Sequence, residues 1–402
     1  MSRASWKTIL LTLAVLSVAS LPVAATSAQA ARTVGRASAD TVFSGDLSGV
    51  SAASRTDAWA VGVQCPTCGN PSTMTLHWNG TQWSMVPSPD PGKPGNFLSG
   101  VADESPSDAW AVGTYDNSSC SAMMILHWNG TAWSQSKSPQ SSAACNGLNG
   151  VSALSATNAW AVGVSCLFAV NHCRTLIVHW NGTAWSKAAS PNPGTELFGL
   201  SGVSADSATD AWAAGSYCTT TSCLAGQDTL LLHWNGTVWS KVPSPNPGPD
   251  SFLVAVSAVS PADAWATGKY CSTSDCAVSH TLLLHWNGTA WSKVPTPNPG
   301  PFNNELNGVT AVSPTDVWVT GDYCAPKCGG HIRTLILHWN GTAWATVTSP
   351  DPGKINGLRA VAATAAGNVW SAGFTCVTSV CGTNTNALIL HWNGTAWMTS
   401  SG

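Results

Sequence analysis

One phrase, His-Trp-Asn-Gly, occurs seven times along the chain, beginning at His77, His127, His179, His233, His285, His338 and His391, at intervals of 50 to 54 residues. Upstream of each copy lies an Asp/Asn-Ala/Val-Trp phrase, carrying Trp59, Trp110, Trp160, Trp212, Trp265, Trp318 and Trp370. Downstream a third tryptophan closes each unit: Trp83, Trp133, Trp185, Trp239, Trp291, Trp344 and Trp397. Three per repeat account for all 22 tryptophans except Trp6. A fixed long period dictates a repeat architecture before any local pattern is weighed. Here it specifies an all-β fold, a seven-bladed β-propeller of four-stranded antiparallel blades.

The idealised unit reads Leu-x-Gly-Val-Ser-Ala, Thr-Asp-Ala-Trp-Ala-Val-Gly, a cysteine loop, Thr-Leu-Ile-Leu-His-Trp, Asn-Gly, and Thr-Ala-Trp-Ser-Lys-Val. These are four short strands rich in β-branched and aromatic residues, separated by turn residues. Asn-Gly between two strands predicts a tight hairpin of type I′, which needs positive φ at both central residues. The third strand is apolar on both faces, as in Leu335-Ile336-Leu337, and so suits a blade sandwiched between neighbours. Connectors of the form Pro-Ser-Pro-Asn-Pro-Gly cannot continue a ladder and therefore divide the blades. The repeats run over approximately 47–96, 97–146, 147–198, 199–251, 252–304, 305–356 and 357–402, after a lead-in over 31–46.

The chain from Leu47 to about Ser400 resembles bacterial secreted β-propellers built from short four-stranded repeats, and at the level of the fold it is similar to Asp-box, WD40 and kelch propellers. Gly80 and Trp83 keep the glycine-to-aromatic spacing of an Asp box, but Trp78 stands where the box has its aspartate. The resemblance implies a fold and no particular enzymatic family.

Residues 1–30 read as an export signal: Arg3 and Lys7 precede a mostly apolar stretch, and Ala28-Gln29-Ala30 fits cleavage near Ala30. The mature chain is expected to be extracellular, with no membrane segment, and monomeric. Its 14 cysteines suit an oxidising compartment. The expected disulfides are Cys65–Cys68, Cys120–Cys145, Cys166–Cys173, Cys218–Cys223, Cys271–Cys276, Cys324–Cys328 and Cys376–Cys381. Zinc is the rival for Cys65 and Cys68 or Cys324 and Cys328, but each blade offers a single pair and a closed site needs four ligands. Charged residues are 9% of the chain. Without Arg3 and Lys7, 14 basic residues face 19 acidic ones, and no basic stripe is present, which excludes nucleic acid as a natural partner.

Seven histidines could suggest metal or acid–base chemistry, yet they sit on seven blades and cannot converge. A structural role is expected instead, each imidazole bonding the polar residue that opens strand two. The pairs are Asp57 with His77, Asp108 with His127, Asn158 with His179, Asp210 with His233, Asp263 with His285, Asp316 with His338, and Asn368 with His391. WD40 repeats use a similar Asp/His device. The Asn-Gly-Thr phrase is also a glycosylation sequon, but turn chemistry explains it already.

The cysteine loops and the connectors share one face, where a rigid propeller carries binding residues. Two groups on it are candidate ligand contacts. Tyr217, Tyr270 and Tyr323 each precede a cysteine, and Tyr115 holds the matching place; they suit sugar stacking or protein contact, or packing beneath the loops. Asp46, Glu305 and Arg359 come from repeats one, six and seven, consecutive round a closed ring, at the mouth of the central channel. No Gly-x-Ser-x-Gly or His-Glu-x-x-His motif is present, and no catalytic residue, metal or cofactor is assigned. The leading expectation is a secreted module that binds a glycan, cell-wall polymer or protein through disulfide-stiffened loops. The alternative is an extracellular glycan-active hydrolase or lyase working at the channel mouth.

Overall fold

The computed structural model describes residues 42–402 apart from 66–68, 118–119, 141–143, 168–171, 194–195, 221–225, 326–329 and 383. The export segment, the first part of the lead-in, and Cys68, Cys223 and Cys328 with the pairs they would complete lie outside the described residues.

The described chain contains 28 strands. Blade one comprises β1 (Asp46–Ser54), β2 (Asp57–Gln64), β3 (Ser72–Trp78) and β4 (Trp83–Met85), hydrogen-bonded in that order. Six further blades repeat this antiparallel order, so the fold is a seven-bladed β-propeller. The first strand of each blade is bulged. In blade six the register slips between Leu306 and Gly308 and again between Ala311 and Ser313. Strand two meets this bulge with a glycine for steric reasons: a Cβ on Gly321 would run into the carbonyl oxygen of Glu305.

The core lies between blades rather than within them. Each of seven apolar clusters draws on two adjacent blades, and one of them joins Leu47, Ala60, Leu76 and Trp83 of blade one to Trp370, Ala372 and Ile389 of blade seven. At its centre is a tryptophan lock. Trp59 of blade one inserts between Trp128 and Trp133 of blade two, with ring centroids 4.8 and 4.9 Å away. Trp370 of blade seven meets Trp78 and Trp83 of blade one at 5.0 and 5.2 Å, the latter edge-to-face at 90°. The junction that closes the ring is therefore built like the others. Large aromatic surfaces buried in offset and T-shaped contacts supply the main apolar stabilisation of each interface.

The connectors are stapled to the start of the third strand in front of them. Thr229 N–H donates to Asn246 Oδ1 at 2.7 Å while its hydroxyl meets Ser244 Oγ at 2.6 Å; Thr73, Thr175, Thr281 and Thr334 repeat this with Asp90, Asn192, Asn298 and Asp351. In blade seven, residues of the lead-in bond the corresponding strand. Ala387 N–H donates to Phe43 O at 2.8 Å, and Gly45 N–H donates to Thr385 O at 2.9 Å.

The hairpin between strands three and four differs from the expected two-residue turn. It is a four-residue loop, Asn79 to Gln82, between paired Trp78 and Trp83. Gly80 has φ +93°, but Asn79 does not share it: among the described residues Cys276 is the sole non-glycine with positive φ. Asn79 instead closes the loop with its side chain. Its Oδ1 accepts from Thr81 N, Thr81 Oγ1 and Gln82 N at 3.0, 2.7 and 3.1 Å. The other six turns do the same, so asparagine is selected as an acceptor and glycine alone for its backbone.

Candidate functional site

On the hairpin face, each histidine Nε2 lies 2.5 to 2.9 Å from the Oδ1 of the residue opening strand two, in all seven blades. The ring also packs on the lock tryptophan, as His77 does on Trp59 at 4.4 Å. Asn158 and Asn368 accept at 2.8 Å, so a neutral imidazole donating from Nε2 is sufficient. Burial pulls the pKa of His179 and His391 below the usual histidine value, with Arg55 adding to the effect at His391. These side chains fasten hairpins and are spread over all seven blades. Among the described residues no cluster of three or more His, Cys, Asp or Glu side chains is placed to hold a metal ion.

The first strands line the axis of the ring, and seven of their valines are common to its two cavities. Val50, Val101, Val151, Val203, Val256, Val309 and Val361 form a girdle that borders both a cavity of about 210 Å³ towards the connector face and one of about 280 Å³ towards the hairpin face.

The connector-side chamber is polar at its rim and asymmetric. Ser48, Ser99, Asn149 and Ser201 line one side, and Asn307 and Arg359 the other, with Val254 between. Asn149 and Asn307 spend their Nδ2 on the next blade, donating to Leu200 O at 2.8 Å and Leu358 O at 2.9 Å. Beside Arg359 a chain of charges crosses blades five, six, seven and one. Lys269 Nζ meets Glu305 Oε1 at 2.6 Å, Asn307 Nδ2 reaches Asp322 Oδ2 at 3.1 Å, and Arg359 approaches Asp46 Oδ2 at 3.4 Å. Burial, reinforced by the charge of Glu305, pushes Asp322 up to about 7 against the pull of Arg359. Burial also raises Asp46, opposed by Arg359. Asp46 and Arg359 thus meet directly, and Glu305 is neutralised by Lys269. Sequence reasoning missed Lys269 and Asp322. Both follow the strand-two glycine, where other blades carry Val63, Thr114, Val164, Ser216 and Phe374, and that break in the repeat was the available signal.

The tyrosines lie elsewhere. All four are half-buried and pack against inter-blade clusters, outside the lining of the chamber. Tyr217 borders a groove of about 390 Å³ with Lys241, Pro243 and Asn246. Lys241 Nζ sits 2.6 Å from its hydroxyl and 4.1 Å from its ring centroid. Lys293 holds Tyr270 the same way at 3.0 and 4.1 Å, and His280 packs on that ring at 5.1 Å. Tyr115 lies 3.5 Å from Gln140 Nε2. A phenol in blades four and five is therefore presented together with an ammonium rather than as a bare stacking face.

The same face carries four disulfides among the described residues: Cys120–Cys145, which ties the blade-two loop to the first strand of blade three, Cys166–Cys173, Cys271–Cys276 and Cys376–Cys381.

On the hairpin side of the girdle, serines stitch neighbouring first strands. Ala205, Ala258 and Ala311 N–H donate to Ser152, Ser204 and Ser257 Oγ at 3.0 to 3.1 Å. In blade two Asp103 takes the alanine's place: its N–H donates to Ser51 Oγ at 3.0 Å, and its Oδ2 accepts from Ala53 N–H at 3.1 Å while its Oδ1 has no partner. Burial first, then the charges of Asp57 and Glu104, push it up to about 8. Glu104 is raised as well, by burial and by Asp108.

No protein-family model matches the chain, and no curated protein matches it. Solved structures do. YCF48 bound to a D1 peptide is 13% identical, with a TM-score of 0.51 over 87% of this chain and 94% of that one. The GH74 xyloglucanase of Xanthomonas campestris is 11% identical, with a TM-score of 0.53 over 90% of this chain and 55% of the enzyme. A PL25 ulvan lyase bound to -[GlcA(1-4)Rha3S]- is 10% identical, with a TM-score of 0.53 over 90% and 97%. At such identities the likeness is one of fold alone: the chain shares the β-propeller architecture of these proteins.

Proposed function

We propose that this chain is an extracellular binding module, exported by residues 1–30, that presents its connector face to a glycan, cell-wall polymer or protein. One observation carries the reading: apart from Asp103 and Glu104 on the hairpin side of the channel, the main departures from seven-fold repetition gather on that face. The polar chamber rim, the Lys269-to-Asp46 charge chain, the Tyr–Lys grooves and the disulfides all lie there, while the opposite face repeats one turn in every blade. Cross-linked loops lose less freedom on binding, which favours affinity, and disulfides suit an oxidising compartment. Asp46, Glu305 and Arg359 at the mouth, and Tyr115, Tyr217, Tyr270 and Tyr323 in the outer grooves, are the proposed contacts.

The test is a screen of residues 31–402, kept oxidised, against arrays of glycans and cell-wall polymers. A hit weakened at least tenfold by Arg359→Ala or Tyr217→Ala supports the reading and locates the contact. Binding unchanged by both variants removes these residues from it.

A second reading, a glycan hydrolase or lyase at the mouth, draws on the raised Asp322 beside Glu305, an environment that keeps a carboxyl protonated for general acid work. Turnover of a bound glycan that disappears in Asp322→Asn would favour it; binding without turnover rejects it.

A further inference from the structure

We infer that the connector-side chamber takes a single neutral sugar residue, the terminal residue of a glycan chain entering end-on. This rests on the binding-module reading and specifies its ligand and direction of approach.

The size comes first. At about 210 Å³ the chamber lies below the roughly 300–1,000 Å³ of pockets that enclose drug-sized ligands, so it has room for one ring and not for a chain. The valine girdle borders both this chamber and the hairpin-side cavity, and in the end-on mode it is the floor on which the terminal ring rests.

The polar groups decide the chemistry. The hydroxyls of Ser48, Ser99 and Ser201 have no protein partner among the described residues, and each can donate and accept. Asn149 donates to Leu200 O, and Asn307 to Leu358 O and Asp322 Oδ2, so each keeps an Oδ1 acceptor with no protein partner among the described residues. Arg359 supplies donors, but Asp46 stands beside it, and Glu305 is matched by Lys269. An anion drawn to Arg359 would compete with Asp46, its ion-pair partner, and a cation would meet Arg359 itself. A hydroxyl-rich neutral ring satisfies donors and acceptors together, and its C–H face can rest on the valines.

The experiment uses the oxidised mature chain with D-glucose, D-galactose, D-mannose, L-rhamnose and N-acetyl-D-glucosamine as probes, followed by saturation-transfer NMR and calorimetry. A positive monosaccharide is then compared as the free terminus of an oligosaccharide and as the same oligosaccharide with that terminus capped. Ser201→Trp fills the chamber from its wall, and Arg359→Ala, on an exposed side chain, gives the same test without touching the core. The expected result is at least one neutral sugar that binds, a tenfold or greater loss on capping, and a tenfold or greater loss in either variant, with Val238→Ala, on an exposed hairpin turn of the opposite face, unchanged. Glycan binding that survives capping and both chamber variants overturns the end-on site while leaving a binding module. Binding only to charged polymers or to a protein also overturns it and spares the broader reading. Turnover without measurable binding of any probe would remove both.

Discussion

Asp103 offers the sharpest quantitative test. Its side chain is 8% exposed, its Oδ1 has no partner, and its pKa is pushed from 3.8 to about 8. A carboxyl whose folded pKa lies above its unfolded value binds its proton more tightly in the native state. Its folding penalty is absent below about pH 4 and accumulates as pH rises towards 8. At about 1.4 kcal/mol per unit, the loss from this one group between pH 5 and pH 8 is about 4 kcal/mol. Asp103→Asn keeps an oxygen to accept from Ala53 N–H and removes the titration. Urea unfolding free energies of the two proteins, measured at half-unit steps from pH 4 to pH 9, should lie closest at the acid end. The variant's advantage should widen by about 4 kcal/mol between pH 5 and pH 8. Asp322, Glu104 and Asp46 tilt the parent curve in the same direction, while His179 and His391 tilt it the other way. All of these remain in the variant, so the difference between the curves isolates Asp103. Parallel curves would refute the argument, because they would mean that the carboxylate is solvated in the folded protein.

Three further outcomes are expected. Trp370→Ala at the ring closure and Trp212→Ala at an interior junction should each cost about 3–5 kcal/mol in urea unfolding, and a much smaller cost at Trp370 would mean that blades seven and one are not locked. Replacing Cys120 and Cys145 together by serine frees a linkage spanning 25 residues and should cost about 3.5 kcal/mol by the loop-closure relation, again read by urea midpoints. Deleting residues 31–39 should leave the melting temperature within about a degree, whereas extending the deletion through Gly45 removes the bonds to Thr385 and Ala387 and should lower it by about 2–3 °C, at about 1 kcal/mol per lost hydrogen bond.

The blades were legible because three tryptophans and a turn phrase recur together, and because polar–apolar alternation is a local property. The partner of each tryptophan was not. Trp59 meets Trp128 and Trp133 some seventy residues on, and spacing alone does not say whether a lock forms within a blade or across the gap. The hairpin was read correctly as a turn and wrongly as a two-residue one, since Asn-Gly serves both geometries and the decisive group is the threonine that follows. At the channel mouth, Asp46, Glu305 and Arg359 could be grouped by repeat arithmetic. Their counterparts Lys269 and Asp322 were missed because they lie on strand two at the position after its glycine, which varies from blade to blade without a motif. The tyrosines stood out for their position before cysteines, but the lysines that cover them come from the fourth strand more than twenty residues later.

The uniformity of the tryptophan locks has a genetic consequence. Trp370 engages blade one as Trp59 engages blade two, and Phe43 does for blade seven what a proline-rich connector does elsewhere. The ring therefore has no obligatory beginning. A gene rearranged so that translation starts in any connector, with a short linker between Gly402 and Val42, would preserve all seven locks. Evolution could have moved the termini round the disc without passing through an unfolded ancestor.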